Sequence, residues 1–150
     1  MDGTELRRAR EQAGLSQAAL ARISGVAQPN ISAYESGRRP VSTAAARSLR
    51  RALRPYPGQV LEARSEEVRA VAQRYGLTDV RVFGSARWGC DTHDSDVDLL
   101  VHVGPGADAY ALVHAAEEIT EVLAGIPVDL VSDAGRGASL ERIKAEAMAL

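Results

Sequence analysis

The amino-acid sequence predicts an α/β (α+β) protein of two domains: an all-helical N-terminal domain, residues 1–54, and a small α/β domain with a short mixed sheet, residues 61–150. Residues 1–54 carry ten arginines and four acids, a net charge of +6. Residues 55–150 carry eight basic and sixteen acidic residues, a net charge of −8. This asymmetry suggests that only the first half meets a polyanion. Two prolines and a glycine, within the sequence RPYPG, predict a linker over residues 55–60.

Length and composition fit one domain or two small ones. The chain has 150 residues, of which 45% are hydrophobic and 25% charged, an ordinary balance for a globular protein. It has no apolar run of membrane-spanning length and no basic-then-apolar leader. Its single cysteine, Cys90, cannot form an internal disulfide. We therefore expect a cytoplasmic protein with no membrane attachment.

The N-terminal half predicts four short helices. The first has apolar residues at helical spacing and ends at Gly14, and Ser16 is a suitable N-cap for the second. Gly25 supplies a turn, and Pro29 lies at the start of a third helix, where its missing amide is not needed. A fourth helix is expected from about residue 42 to residue 53. Short helices joined by a tight glycine turn are the helix-turn-helix pattern.

The residues LRRAREQAGLSQAALARISGVAQPNISAYESGRRPVS, which begin at Leu6, resemble the helix-turn-helix domain of the XRE/Cro/C1-type repressors. In such domains the second helix of the motif enters the major groove, and a symmetric homodimer on palindromic operator DNA is usual. The resemblance implies a set of DNA-contacting residues. Gln28, Asn30 and Ser32 would contact base edges, with Gln17 beside them. Arg38 and Arg39 would neutralise phosphates. The alternative is a helical domain used only for dimerisation or partner docking.

The second half predicts helices and strands in the order αβαβαβα, an α/β sandwich on one small sheet. An amphipathic helix from Leu61 to Tyr75 closes at Gly76. Strands follow at about residues 79–83, 96–103 and 127–131. A helix with a clear stripe of apolar residues lies between the last two strands, and a final helix follows a glycine-rich loop.

Carboxylates in two of these strands predict a metal site. Asp96 and Asp98 are two residues apart, so their side chains share one face of a strand. Hard oxygen ligands at this spacing suit Mg²⁺ together with substrate phosphates. Asp129 in the third strand would join them if the two strands lie side by side. Three carboxylates on neighbouring strands are the ligands that two Mg²⁺ ions need for in-line displacement at a phosphate. Gly84 permits close backbone approach, and Ser85 is expected to cap a helix whose N-terminal amides favour phosphate.

This half resembles the minimal nucleotidyltransferases of the DNA polymerase β-like superfamily. The signature is Gly-Ser, ten residues, then Asp-x-Asp, with a later strand aspartate, and it occurs here in RVFGSARWG…DSDVDLLV and PVDLV. The resemblance implies that Gly84 and Ser85 hold the phosphates of ATP, and that Asp96, Asp98 and Asp129 are catalytic and bind Mg²⁺. One departure is visible: Trp88 stands where the family commonly has arginine, and Arg87 lies one position earlier.

Proteins that resemble this half commonly act as antitoxins paired with HEPN-type ribonuclease toxins. The implied reaction moves AMP from ATP to a tyrosine of the toxin, and the helix-turn-helix domain would then regulate the operon. A second hypothesis is a non-catalytic transcriptional regulator whose second half senses nucleotide or binds a partner. A third is nucleotidyl transfer to a small molecule or an RNA.

Overall fold

The computed structural model describes residues 1–150, and the chain forms two compact units, Met1–Pro55 and Tyr56–Leu150. We call them the N-terminal unit and the C-terminal unit. None of the helices is long and apolar enough to cross a membrane.

The N-terminal unit consists of four helices: α1 (Gly3–Gln12), α2 (Gln17–Ser24), α3 (Gln28–Glu35) and α4 (Thr43–Ala52). Its caps follow from the sequence. Ser16 accepts a hydrogen bond from the backbone N–H of Ala19, as predicted, and Gly25 ends α2 with a left-handed φ of 72°. The core is formed by six buried residues from all four helices: Leu6, Leu20, Ile31, Tyr34, Leu49 and Ala52. Ile23, which helical spacing assigns to the same helix as Leu20, is 41% exposed.

The C-terminal unit contains five helices and four strands. In chain order they are α5 (Pro57–Ala63), α6 (Ser65–Arg74), β1 (Leu77–Phe83), α7 (Gly84–Trp88), β2 (Val97–Val103), α8 (Ala109–Val122), β3 (Val128–Ser132), α9 (Ala138–Glu146) and β4 (Met148–Ala149). The strand order is β3-β2-β1-β4, in which β2 and β3 are parallel and the other pairs are antiparallel. The predicted short mixed sheet is confirmed, with β4 as an additional strand.

The main core of this unit lies between the sheet and the helices α6 and α8. Val97, Leu99 and Val101 alternate along β2, are fully buried, and belong to the same cluster as Val68 of α6 and Ile119 of α8. Burial of each such side chain contributes about 2 kcal/mol. Since side chains alternate across a strand, the residues between them lie on the opposite face of the sheet.

The segment expected to be a linker differs from the expectation. The backbone of residues 57–60 is already helical, because α5 begins at Pro57, whose fixed φ and missing N–H suit the first position of a helix. Pro57 is buried, and the N–H of Tyr56 donates to Gln59 Oε1 at 3.0 Å. The single helix expected over Leu61–Tyr75 is likewise two helices, separated at Arg64.

Candidate active site

Asp98 and Asp129 are direct neighbours on adjacent strands. β2 and β3 pair in parallel, with Asp98 opposite Asp129, while β1 places Phe83 opposite Asp98 on the other side. Since Val97 and Leu99 point into the core, Asp98 lies on the opposite face of the sheet. The condition under which Asp129 joins the other aspartates, that the two strands are neighbours, is therefore met. Asp96 is in the loop one residue before β2, not within the strand.

The three aspartates have no partner within the protein. Asp98 is half-buried, Asp96 and Asp129 are exposed, and none of them forms a hydrogen bond or an ion pair. Other acids of this unit do have cationic partners: Asp133 pairs with Arg81, and Glu118 with Arg74. Three unpaired carboxylates at the start of β2 and β3 form a concentrated negative charge that the protein itself does not neutralise.

The electrostatics of Asp98 reflect this arrangement. Burial raises the pKa of Asp98, and the neighbouring charges of Asp129 and Asp96 raise it further. No group of three or more His, Cys, Asp and Glu side chains is placed to hold a metal ion by itself. The donor set nevertheless fits Mg²⁺, which binds one or two carboxylates and completes its shell with water and substrate phosphate.

Gly84 lies directly against Asp98. Its φ is +70°, and a Cβ atom at this position would be 2.4 Å from Asp98 Oδ2. Any side chain would therefore displace the carboxylate in addition to straining the backbone. Glycine at residue 84 is required to bring the turn after β1 and the aspartate of β2 into contact.

Ser85 is placed differently from the expectation. The N-cap of α7 is Phe83, and no side chain caps this helix, so Ser85 lies within its first turn. The carbonyl of Ser85 accepts hydrogen bonds from the N–H groups of Gly89 and Cys90. Its hydroxyl makes no hydrogen bond in the protein. The Ser85 hydroxyl is therefore available to a ligand, while α7 itself has only five residues.

Helix α5 holds the loop that leads to Asp96. The N–H of Gly58 donates to Asp91 Oδ2 at 2.7 Å, and the rings of Tyr56 and His93 are 4.4 Å apart. The residues expected to link the domains therefore fix the approach to the aspartate strand. The sequence signal for α5 is Pro57 at the first helical position with Gln59 two residues later.

Arg87 does not occupy the position of the arginine that Trp88 replaces. Its Nε donates to the carbonyl oxygen of Glu146 at 2.6 Å, and its guanidinium lies over the Trp88 ring, with Cζ 3.7 Å from the centroid. Arg87 is therefore engaged with the end of α9 and with its neighbouring indole.

In the N-terminal unit, Gln17 lies inside a hydrogen-bond network. Its Nε2 donates to Glu35 Oε2 at 2.9 Å, and its Oε1 accepts from Gln28 Nε2 at 2.9 Å. Gln17 therefore lies beside Gln28 and contacts it, and its amide keeps one N–H that these two bonds do not use. Gln28 is exposed at the start of α3 and retains its carbonyl oxygen and one N–H for a bidentate contact.

The remaining residues of the predicted DNA-contacting set form a polar surface along and after α3. Arg39 donates to Asn30 at 3.2 Å, and Arg38 donates to Ser32 at 3.4 Å and to Ser36 at 2.9 Å. Both arginines are exposed. The structure therefore brings all six predicted residues to one helix and its immediate neighbours.

The comparisons with known proteins agree with both domains. Residues 65–148, more than half of the chain, match the family model of the nucleotidyltransferase domain. The chain belongs to this nucleotidyltransferase family. Residues 3–63 match the model of a helix-turn-helix domain, so both predicted domains are confirmed. The matched ranges meet at Arg64, between α5 and α6.

Two solved structures resemble this nucleotidyltransferase. One, described as a proposed minimal nucleotidyltransferase, is 35% identical over 62% of this chain and 95% of its own, with a TM-score of 0.56. The other, described as a toxin–antitoxin with AMP-PNP, is 21% identical over 56% of this chain and 69% of its own, with a TM-score of 0.49. The search of curated proteins found no match.

Proposed function

We propose that this nucleotidyltransferase is an Mg²⁺-dependent antitoxin that transfers AMP from ATP to a tyrosine of a partner HEPN-type ribonuclease toxin. One observation carries the transferase chemistry. The carboxylates of Asp98 and Asp129 lie in register without protein partners, and Gly84 packs directly on the first of them. Unpaired carboxylates beside a tight turn are suited to bind a cation and the phosphates that accompany it.

In the proposed reaction the hydroxyl oxygen of the tyrosine attacks the α-phosphorus of ATP. A new P–O bond forms to tyrosine, the bond to the bridging oxygen breaks, and pyrophosphate leaves. Asp96 and Asp98 would hold Mg²⁺ together with Asp129, and the Ser85 hydroxyl would bind phosphate. One or two bound Mg²⁺ ions would neutralise the negative charge of the phosphates. Asp129 would also accept the proton of the attacking hydroxyl.

The edge strand β3, which carries Asp129, supports a protein as the acceptor. A groove of about 630 Å³ lies between α8 and β3, on the other face of the sheet from Asp98. β3 is an edge strand, so its outer backbone groups are available to an added strand.

The N-terminal unit is proposed to bind operator DNA as a homodimer and to regulate the operon. Gln28, Asn30 and Ser32 would read base edges, and Arg38 and Arg39 would neutralise phosphates. The exposed position of Gln28 at the start of α3 supports this assignment. Gln17 would act by orienting the Gln28 amide.

The test combines the protein with labelled ATP, Mg²⁺ and the product of the neighbouring gene. Label should appear on the partner and be lost when its acceptor tyrosine is changed to phenylalanine. The double variant Asp96→Asn/Asp98→Asn should transfer none. Transfer that persists in the double variant would contradict the assigned site, whereas label on an RNA or a small molecule would contradict the protein acceptor.

The engagement of Arg87 favours a second candidate, a regulator whose C-terminal unit binds nucleotide without transferring it. The Nε of Arg87 donates to the Glu146 carbonyl and its guanidinium lies over Trp88, and this anchoring restricts its reach toward a leaving phosphate. This candidate expects operator binding that changes with ATP and no covalent product under any condition. Gel-shift measurements with and without ATP, run beside the transfer assay, separate the two functions.

A further inference from the structure

Trp88 presents an aromatic surface to solvent next to the proposed phosphate site. It is the only tryptophan of the chain, and 60% of its surface is exposed. It ends α7, the helix that begins at Gly84. Trp88 lies four residues after Gly84, so its Cα is about one helical turn, roughly 6 Å along the axis, from that of Gly84.

The indole is held from one side only. The guanidinium of Arg87 lies 3.7 Å from the ring centroid, within the range of a cation–π contact. Arg87 is itself anchored, since its Nε donates to the carbonyl of Glu146 at 2.6 Å. The only ring–ring contact in the chain is between Tyr56 and His93, so no aromatic residue stacks on Trp88. One ring face is thus supported by a fixed cation while the exposed area remains for a ligand.

We propose that the base of the bound nucleoside triphosphate stacks on the exposed face of Trp88. The proposal rests on the proposed function, because it takes Gly84 and Ser85 as the phosphate site. Every base has a π-face, so a stacking platform raises affinity for any nucleotide without reading its hydrogen-bonding edge. Trp88 therefore discriminates nucleotides from bare polyphosphate, and purines stack better than the smaller pyrimidines.

The chain itself supplies the reporter for this contact. Because Trp88 is the sole tryptophan, selectively excited fluorescence observes this residue alone. Titration of the full-length protein with ATP and Mg²⁺ should change its emission with the same midpoint that calorimetry gives for binding. Inorganic tripolyphosphate with Mg²⁺ should bind by calorimetry with a much smaller change in emission, because it has no base.

Variants separate stacking from folding. Trp88→Ala should weaken ATP binding about tenfold or more and leave tripolyphosphate binding unchanged, whereas Trp88→Phe should recover most of the ATP affinity. Tyr110→Ala is the matched control, since Tyr110 is also a strongly exposed aromatic residue, at 75%. This control should bind ATP as the unmodified protein does.

Three outcomes would overturn the proposal, each in a different way. ATP binding by calorimetry without an emission change, and with unaltered affinity in Trp88→Ala, would exclude stacking and leave the proposed function standing. Equal losses of ATP and tripolyphosphate affinity in Trp88→Ala would assign Trp88 to support of the phosphate site. Absence of any ATP binding by the unmodified protein would remove the proposed function and the stacking together.

Discussion

The contact between Gly84 and Asp98 predicts that Gly84→Ala weakens ATP binding and slows nucleotidyl transfer about a hundredfold by displacing a carboxylate. A Cβ atom at residue 84 would be 2.4 Å from Asp98 Oδ2. Since non-bonded heavy atoms normally stay about 3.5 Å apart, the carboxylate or the turn must move by roughly 1 Å. A misplacement of that size in a reacting group costs about a hundredfold in rate.

The same substitution also strains the backbone, and this second effect must be separated from the first. Gly84 has a φ of +70°, where an L-residue costs about 1–2 kcal/mol. Gly106→Ala is the matched control: its φ is +87°, and a Cβ there would meet nothing within 4 Å. Both variants should lose about 1–2 kcal/mol in the free energy of unfolding, measured by urea titration with Trp88 fluorescence.

Only Gly84→Ala should weaken ATP binding and slow nucleotidyl transfer. Calorimetry with ATP and Mg²⁺ measures the first, and labelled transfer to the partner protein measures the second. If Gly84→Ala binds ATP as tightly as Gly106→Ala, then contact with Asp98 does not define the site. If Gly106→Ala also loses ATP binding, backbone strain alone explains the effect and the reasoning from the contact is refuted.

Three further predictions follow from individual contacts. Asp98→Asn should abolish nucleotidyl transfer. In EDTA at neutral pH it should also raise the free energy of unfolding, because it removes a half-buried, unpaired charge beside two like charges. A lower free energy of unfolding would indicate that the carboxylate has a partner. Burial alone would raise the pKa of Glu35. Hydrogen bonds from Arg10 and from the side-chain amide of Gln17 instead hold this pKa below its usual value. In this salt bridge Arg10 Nε lies 2.7 Å from Glu35 Oε1. The bridge contributes its full stability at pH values above the pKa of Glu35 in the unfolded chain, about 4.3. That contribution is lost as the pH falls through the lower pKa of Glu35 in the folded protein. Glu35→Ala should cost about 3 kcal/mol at neutral pH and progressively less in acid, as followed by far-ultraviolet circular dichroism; a cost independent of pH would contradict the charge pairing. In electrophoretic shift assays Gln28→Ala should weaken operator binding by about 1–3 kcal/mol and leave non-specific binding unchanged. Arg38→Ala should weaken binding to all DNA sequences and lower the slope of log affinity against log salt concentration by about 1. If Gln28→Ala showed this behaviour and Arg38→Ala weakened only operator binding, the two assigned roles would be exchanged.

The sequence alone determined the local features. Caps, glycine turns and helical spacing placed the helices of the N-terminal unit, because these signals act over three or four residues. The pair Asp96 and Asp98 and the preceding Gly84-Ser85 were likewise visible as short patterns. The charge asymmetry separated a basic half from an acidic half without any reference to the fold.

Tertiary structure decided which distant residues meet. Local periodicity does not specify strand partners, so only the parallel pairing of β2 and β3 put Asp98 opposite Asp129. The contacts of Gln17 with Glu35, of Gly58 with Asp91 and of Arg87 with Glu146 join residues 18, 33 and 59 positions apart. Such side-chain hydrogen bonds depend on the packing of whole elements and leave no periodic trace in the sequence. For this reason the sequence predicts neither the bond between Gln17 and Glu35 nor the contact of α5 with the loop before Asp96.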